Sequence, residues 1–101
     1  MTAAFDAGRA YEKHPQVAIR REGFGGLAYH FGNRRLVFLK APELVALVEA
    51  LGDFPSAGEA MAACVPEPRR DACRRALSSL LASQVIRPRP GRGPRPSGPG
   101  A

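Results

Sequence analysis

The hydrophobic period of this chain changes at residue 41, and that change does more than any motif to limit the possible folds. Before it, apolar side chains recur every second residue; after it, they recur every three to four. Residues 17–22, VAIRRE, set Val17 and Ile19 on one face of a first strand, and GFGG follows as a connector. Residues 26–31, GLAYHF, alternate again, and Gly32-Asn33 carries the composition of a two-residue hairpin loop leading into RRLVFLK. That loop fixes a register in which Phe31 faces Arg34, Tyr29 faces Leu36 and Leu27 faces Phe38. Five large apolar side chains then share one face, and Ala28, His30, Arg35, Val37 and Leu39 take the other, with His30 expected to point outward.

Beyond residue 41, Pro42 suits a first helical position, Leu44, Leu47, Val48 and Leu51 follow helical spacing, and Gly52 stands where a C′ glycine belongs. Ser56 and Glu59 form a capping box for a second helix with the stripe Ala60, Met61 and Cys64, ended by Pro66. Pro68 opens a third helix to about Ser83, with Cys73, Ala76, Leu77, Leu80 and Leu81 on one side. The expected architecture is α+β: a three-stranded antiparallel meander followed by three helices, in the manner of a winged helix-turn-helix.

Composition divides the chain. The last fifteen of its 101 residues, RPRPGRGPRPSGPGA, hold five Pro, four Gly and four Arg and no large apolar side chain. A segment of that kind cannot bury enough surface to offset its chain entropy, so 87–101 is expected to be a disordered basic tail, 14–86 the binding domain and 1–13 a partly flexible extension. The tail supplies four of the six net positive charges, leaving a nearly balanced domain. No apolar h-region or spanning stretch is visible, which points to a soluble cytoplasmic protein with no membrane partner and with two reduced thiols.

The catalytic inventory is thin: no GxSxG, HExxH or Walker motif occurs, and GFGG lacks the spacing of a phosphate loop. His14, His30, Cys64 and Cys73 are the only soft metal ligands, and their spacings resemble no zinc site. We therefore expect no enzyme activity, metal or cofactor. The stronger signal is the third strand. A meander leaves its first and third strands as edges, and LVFL carries neither proline nor a central charge, being fenced only by Arg34, Arg35 and Lys40. Such an edge supports strand addition by an extended peptide or a strand-swapped homodimer. Helical projection places Arg70 and Arg74 beside Leu77 and Leu81. This is either an ordinary solvated basic face or one wall of a groove whose floor is the open edge.

The block HPQVAIRREGFGGLAYHFGNRRLVFLKAPELVALVEAL also resembles the mycofactocin-biosynthesis peptide chaperones, PqqD-like proteins of the RiPP recognition element class. It does so through HPxVA at 14–18, RxE at 20–22, FG at 24–25, YHFG at 29–32 and RRLxFLK at 34–40. The ending ALxxLxxSxxI at 76–86 matches more loosely, and Arg21 departs from an expected proline. The resemblance implies a non-catalytic protein that holds the leader of a ribosomally made precursor peptide as an added strand and docks to a radical SAM maturase, which owns the iron–sulfur cluster and S-adenosylmethionine. It implies peptide contacts at Arg35, Leu36, Val37, Phe38 and Leu39 and at Arg70, Arg74, Leu77 and Leu81. The rival is a winged-helix DNA-binding protein using the third helix and the basic tail; against it stand the balanced charge and the lack of Asn or Gln near the start of that helix.

Overall fold

The computed structural model of the chain describes residues 5–89. Strands β1 (Tyr11–Lys13), β2 (Val17–Glu22), β3 (Gly25–His30) and β4 (Leu36–Leu39) precede helices α1 (Pro42–Ala50), α2 (Ala57–Cys64) and α3 (Glu67–Ala82), and a last strand, β5 (Ile86–Pro88), follows them. The fold is α+β, with a three-stranded antiparallel sheet in the order β2-β3-β4 and three helices after it, as the period change predicts.

The β3–β4 register is the expected one, with Leu27 opposite Phe38 and Tyr29 opposite Leu36. The turn between them differs. His30 N–H donates to Arg35 O, Arg34 N–H donates back to His30 O, and Phe31 N–H turns to Gln16 O. The loop is therefore four residues long, and Arg34, not a glycine, takes the left-handed backbone conformation at φ 62°. Asn33 Oδ1 holds the loop by accepting from Arg35 N–H, a local side-chain bond that suits Asn in turns.

The two faces of the sheet are exchanged relative to expectation. Ala28, Leu39 and His30 are buried, whereas Tyr29, Phe31, Leu36 and Phe38 are exposed. The cause is the β2–β3 pairing, which sets Val17 opposite His30 and Ile19 opposite Ala28 and so gathers the apolar face of β2 with the small residues of β3. Helix α1 packs on this face, and the fit is close: a Cβ on Gly26 would stand 2.9 Å from Val45 Cγ2. Large residues there would hold the helix off. Val45, Leu47, Val48, Leu77 and Ile86 complete the centre of the core.

Two further corrections concern boundaries. Gly52 does not close α1 in a left-handed turn; the chain tightens into a 3-10 turn, Leu51–Asp53, which satisfies helix-end carbonyls by shorter bonds. The ends of the domain also lie further out than composition suggests. Strand β1 pairs antiparallel with β5, Tyr11 opposite Pro88 and Lys13 opposite Ile86, and Arg87 Nε meets Glu12 Oε2 at 2.7 Å. Arg89 Nη1 donates to Gly52 O at 2.6 Å and to Phe54 O at 3.1 Å. The folded unit thus includes 11–13 and 87–89, segments expected to fall in the extension and the tail; the rest of the tail lies outside the described residues. Upstream, Ala7 and Arg9 carbonyls accept from Gly58 and Ala57 N–H at the start of α2, where Ser56 Oγ accepts from Glu59 N–H as the capping box requires.

Candidate peptide-binding edge and groove

Strand β4 hydrogen-bonds to β3 on one side and lies at the sheet edge on the other. Antiparallel pairs alternate between those that exchange main-chain bonds and those that do not. Since His30 N–H bonds Arg35 O, the bonded pairs continue as Ala28 with Val37 and Gly26 with Leu39. Leu36 and Phe38 consequently aim their N–H and C=O groups away from the sheet. The inward bonds of Val37 and Leu39 are already used, so the outward-facing groups of the edge belong to two residues of the strand.

The α3 segment meets the chain just before and just after β4. At one end Asn33 Nδ2 reaches Gln84 Oε1 at 3.3 Å. At the other, Lys40, Ala41, Glu43 and Leu44 meet Arg69, Ala72, Cys73 and Ala76 around a hollow of about 150 Å³. On α3, the row Arg69, Ala72, Cys73 and Ala76 therefore faces the junction of β4 and α1. Arg69 Nε is held by Glu43 Oε2 at 2.6 Å, which ties α3 to α1 at this hollow.

Of the expected site residues, Arg35, Leu36, Val37, Phe38 and Leu39 lie along the edge, with Leu36 and Phe38 exposed, Val37 half-buried and Leu39 buried. The helix half of the set is placed elsewhere. Arg70 turns to the end of α2, donating to Val65 O at 2.9 Å and Ala62 O at 3.2 Å. Arg74 pairs with Asp71 on the solvent side, Leu77 is fully buried in the core, and Leu81 sits with His14, Gln84 and Ile86 near the β1–β5 ribbon. Arg70 is a clamp on unsatisfied helix-end carbonyls, so Arg70→Ala should lower stability by about 1–2 kcal/mol in urea unfolding while leaving any ligand at β4 bound as before.

No sulfur or imidazole chemistry is poised for catalysis. Burial, reinforced by the Glu43 carboxylate and opposed by Arg69, pushes the Cys73 thiol up, which keeps it protonated and unreactive. Both cysteines are free, and among the described residues no cluster of metal-ligating side chains forms. His30, expected to be outward, is buried at 3% exposure. Its Nδ1 accepts from Gly32 N–H at 3.0 Å and Asn33 N–H at 3.2 Å, and its ring lies 4.4 Å from that of His14. It is a brace for the turn that launches β4.

His14 Nδ1 likewise accepts from Gln16 N–H at 3.0 Å. Desolvation first, and then the neighbouring His30, hold His14 below its ordinary value of 6.5. The unfolded chain therefore takes up a proton that the folded one resists, so stability is retained above about pH 6.5 and declines as the pH falls from there toward the lowered value. Thermal unfolding from pH 7.5 to 5.5 should show this slope, reduced in His14→Asn; a pH-independent midpoint in the parent chain would contradict it.

Among the described residues, this is a small α+β domain with a strand edge left unpaired and fenced by Arg34, Arg35 and Lys40. The family model described as "Peptide chaperone MftB family" matches residues 10–87. The chain is 43% identical over 89 residues to the Peptide chaperone MftB of Mycobacterium tuberculosis (strain ATCC 25618 / H37Rv), covering 87% of this chain and 82% of the relative. It is 43% identical over 86 residues to that of Mycobacterium ulcerans (strain Agy99), covering 84% and 79%. With that of Mycolicibacterium smegmatis (strain ATCC 700084 / mc(2)155) it shares 41% over 85 residues, covering 83% of each. The chain belongs to the Peptide chaperone MftB family and is not an enzyme. No solved structure matches it. Among the described residues no helix is long and apolar enough to cross a membrane.

Proposed function

We propose that this chain is a cytoplasmic peptide chaperone of mycofactocin biosynthesis that holds the leader of a ribosomally made precursor as a fourth strand on β4 and passes it to a radical SAM maturase. Family membership supports the chaperone role, and the iron–sulfur cluster and S-adenosylmethionine belong to the maturase. The observation that carries the binding mode is the outward main chain of Leu36 and Phe38 at the edge of the sheet. A peptide strand would take up those N–H and C=O groups, which is how strand addition gains its affinity. Val37 and Leu39 turn their side chains to the core face, Arg35 stands exposed at the start of the edge, and in this reading Arg69, Ala72 and Ala76 are the α3 residues nearest the end of the added strand, in place of Arg70, Arg74, Leu77 and Leu81. Peptide-free copies concentrated enough to meet can exchange strands at the same edge as a strand-swapped homodimer, whereas the dilute chain keeps the edge open.

A nucleic-acid role finds little support in α3. Arg69 is engaged by Glu43, Arg70 by the end of α2, and Arg74 and Arg75 by Asp71. The discriminating experiment is calorimetric titration of the purified chain with a synthetic precursor leader at about 0.3 M salt. Saturable binding that persists there is expected, because a phosphate-driven complex would weaken steeply over the same range. No heat and no saturation at any salt concentration would contradict the peptide-holding role.

A further inference from the structure

Among the described residues, nothing covers the outer face of the sheet, which is largely apolar on β3 and β4. Leu36 and Tyr29 stand side by side across β4 and β3, as do Phe38 and Leu27, and Phe24 and Phe31 join them from the flanking turns. Phe24 is 50% exposed, Tyr29 38%, and Phe31, Leu36 and Phe38 57% each. Single exposed apolar residues are commonplace, but a contiguous group of this kind marks an interaction surface. The rings are held before any partner arrives: Phe24 meets Phe38 edge to face at 5.9 Å, and Tyr29 meets Phe31 likewise at 5.3 Å. Preset aromatic anchors lose little freedom on binding. Between Phe24, Leu27 and Phe38 lies an open hollow of about 670 Å³, bordered by Arg20, Glu22 and Lys40.

The charges at the border decide what can cover this face. Glu22 is the acidic member and is taken by Arg20 at 2.8 Å. Lys40, and Arg34 three residues after Phe31 in the same turn, make no ion pair among the described residues. Two copies stacked face to face would bring these cations toward one another, which disfavours self-association. A partner with an apolar patch bordered by carboxylates meets both features.

We propose that the outer sheet face is a second docking surface, separate from the β4 edge, for an apolar, acid-bordered patch on the enzyme that receives the held peptide. This rests on the peptide-holding reading for the identity of that enzyme. The two surfaces share Leu36 and Phe38, whose main chain serves the edge and whose side chains serve the face. An added peptide strand would place every second side chain in line with Leu36 and Phe38 and so widen the face by one row. Peptide and enzyme then favour each other's binding, and the coupling is reciprocal.

The test uses the double variant Phe24→Ser, Phe31→Ser. Both residues lie off β4, and both are half-exposed or more, so their loss leaves the core and the edge intact. The probes are the synthetic leader and the purified radical SAM maturase of mycofactocin biosynthesis, with affinities measured by surface plasmon resonance, and the oligomeric state by sedimentation. The double variant should bind leader within about twofold of the parent chain but maturase at least about tenfold more weakly, the size expected from losing interface anchors. The parent chain should bind maturase more tightly when saturated with leader. Unchanged maturase affinity in the double variant, or a parent homodimer that the two serines dissolve, would overturn the proposal. Should the parent chain bind maturase but no leader, the peptide-holding reading alone fails, and the maturase affinities still judge the face.

Discussion

Phe38→Pro should reduce leader affinity by about a hundredfold or more while Phe38→Ala, which keeps the main-chain donor, loses far less. Proline removes the outward N–H and places ring atoms where the added strand must lie, a combined effect on the order of 3 kcal/mol. The chain tolerates the substitution structurally, because proline is accepted on the free side of an edge strand. The contrast with Val37→Pro is informative: Val37 bonds inward, opposite Ala28, so proline there attacks the sheet itself and lowers the unfolding midpoint. Circular dichroism separates the two cases. Equal leader binding by Phe38→Pro and Phe38→Ala, both folded, would place the peptide away from β4.

The second large effect is expected at Gly25. Its φ is +148°, and a Cβ built there would lie 2.1 Å from Leu39 O and 2.7 Å from Ala41 N. Both neighbours are backbone at the junction of β4 and α1, so neither can move without shifting the edge strand. Gly25→Ala should cost about 3 kcal/mol or more, a large share of the stability of a domain this small. Gly23→Ala, in the same turn with nothing within 4 Å of its added Cβ, should change little. Urea unfolding of the pair measures the difference, and comparable midpoints would show that the close approach at Gly25 is not as tight as described.

What could be read in the sequence follows the range of the signal. Local periodicity located the main strands and all three helices, and the alternation around residue 32 gave the correct β3–β4 register although the loop itself is longer. The faces were not legible from β3 and β4 alone, since the usual rule assigns the larger apolar side chains to the core, and here both faces are apolar. The clue was in β2: pairing Glu22 with Gly25 carries Val17 and Ile19 to the side of Ala28 and His30, and glycine with alanine on that side admits a helix. The β1–β5 ribbon joins three residues near each end of the domain, one of them a proline, and nothing local announces it. The site divides in the same way. The open edge could be read from the absence of proline and charge in LVFL, whereas the helix wall depended on how α3 is rotated about its own axis. That rotation buries Cys73, Leu77 and Leu80 in the core, with Arg70 on the end of α2 and Arg69 on Glu43 at its flanks, contacts between elements that no projection of one helix contains.

Amide hydrogen exchange on the free and leader-saturated chain probes the edge most directly. The free chain should exchange Leu36 and Phe38 quickly and Val37 and Leu39 slowly, and saturation with leader should slow Leu36 and Phe38 by an order of magnitude or more, in keeping with new main-chain bonds. Uniformly slow exchange along residues 36–39 before any leader is added, or rates at Leu36 and Phe38 that leader leaves unaltered, would contradict the account.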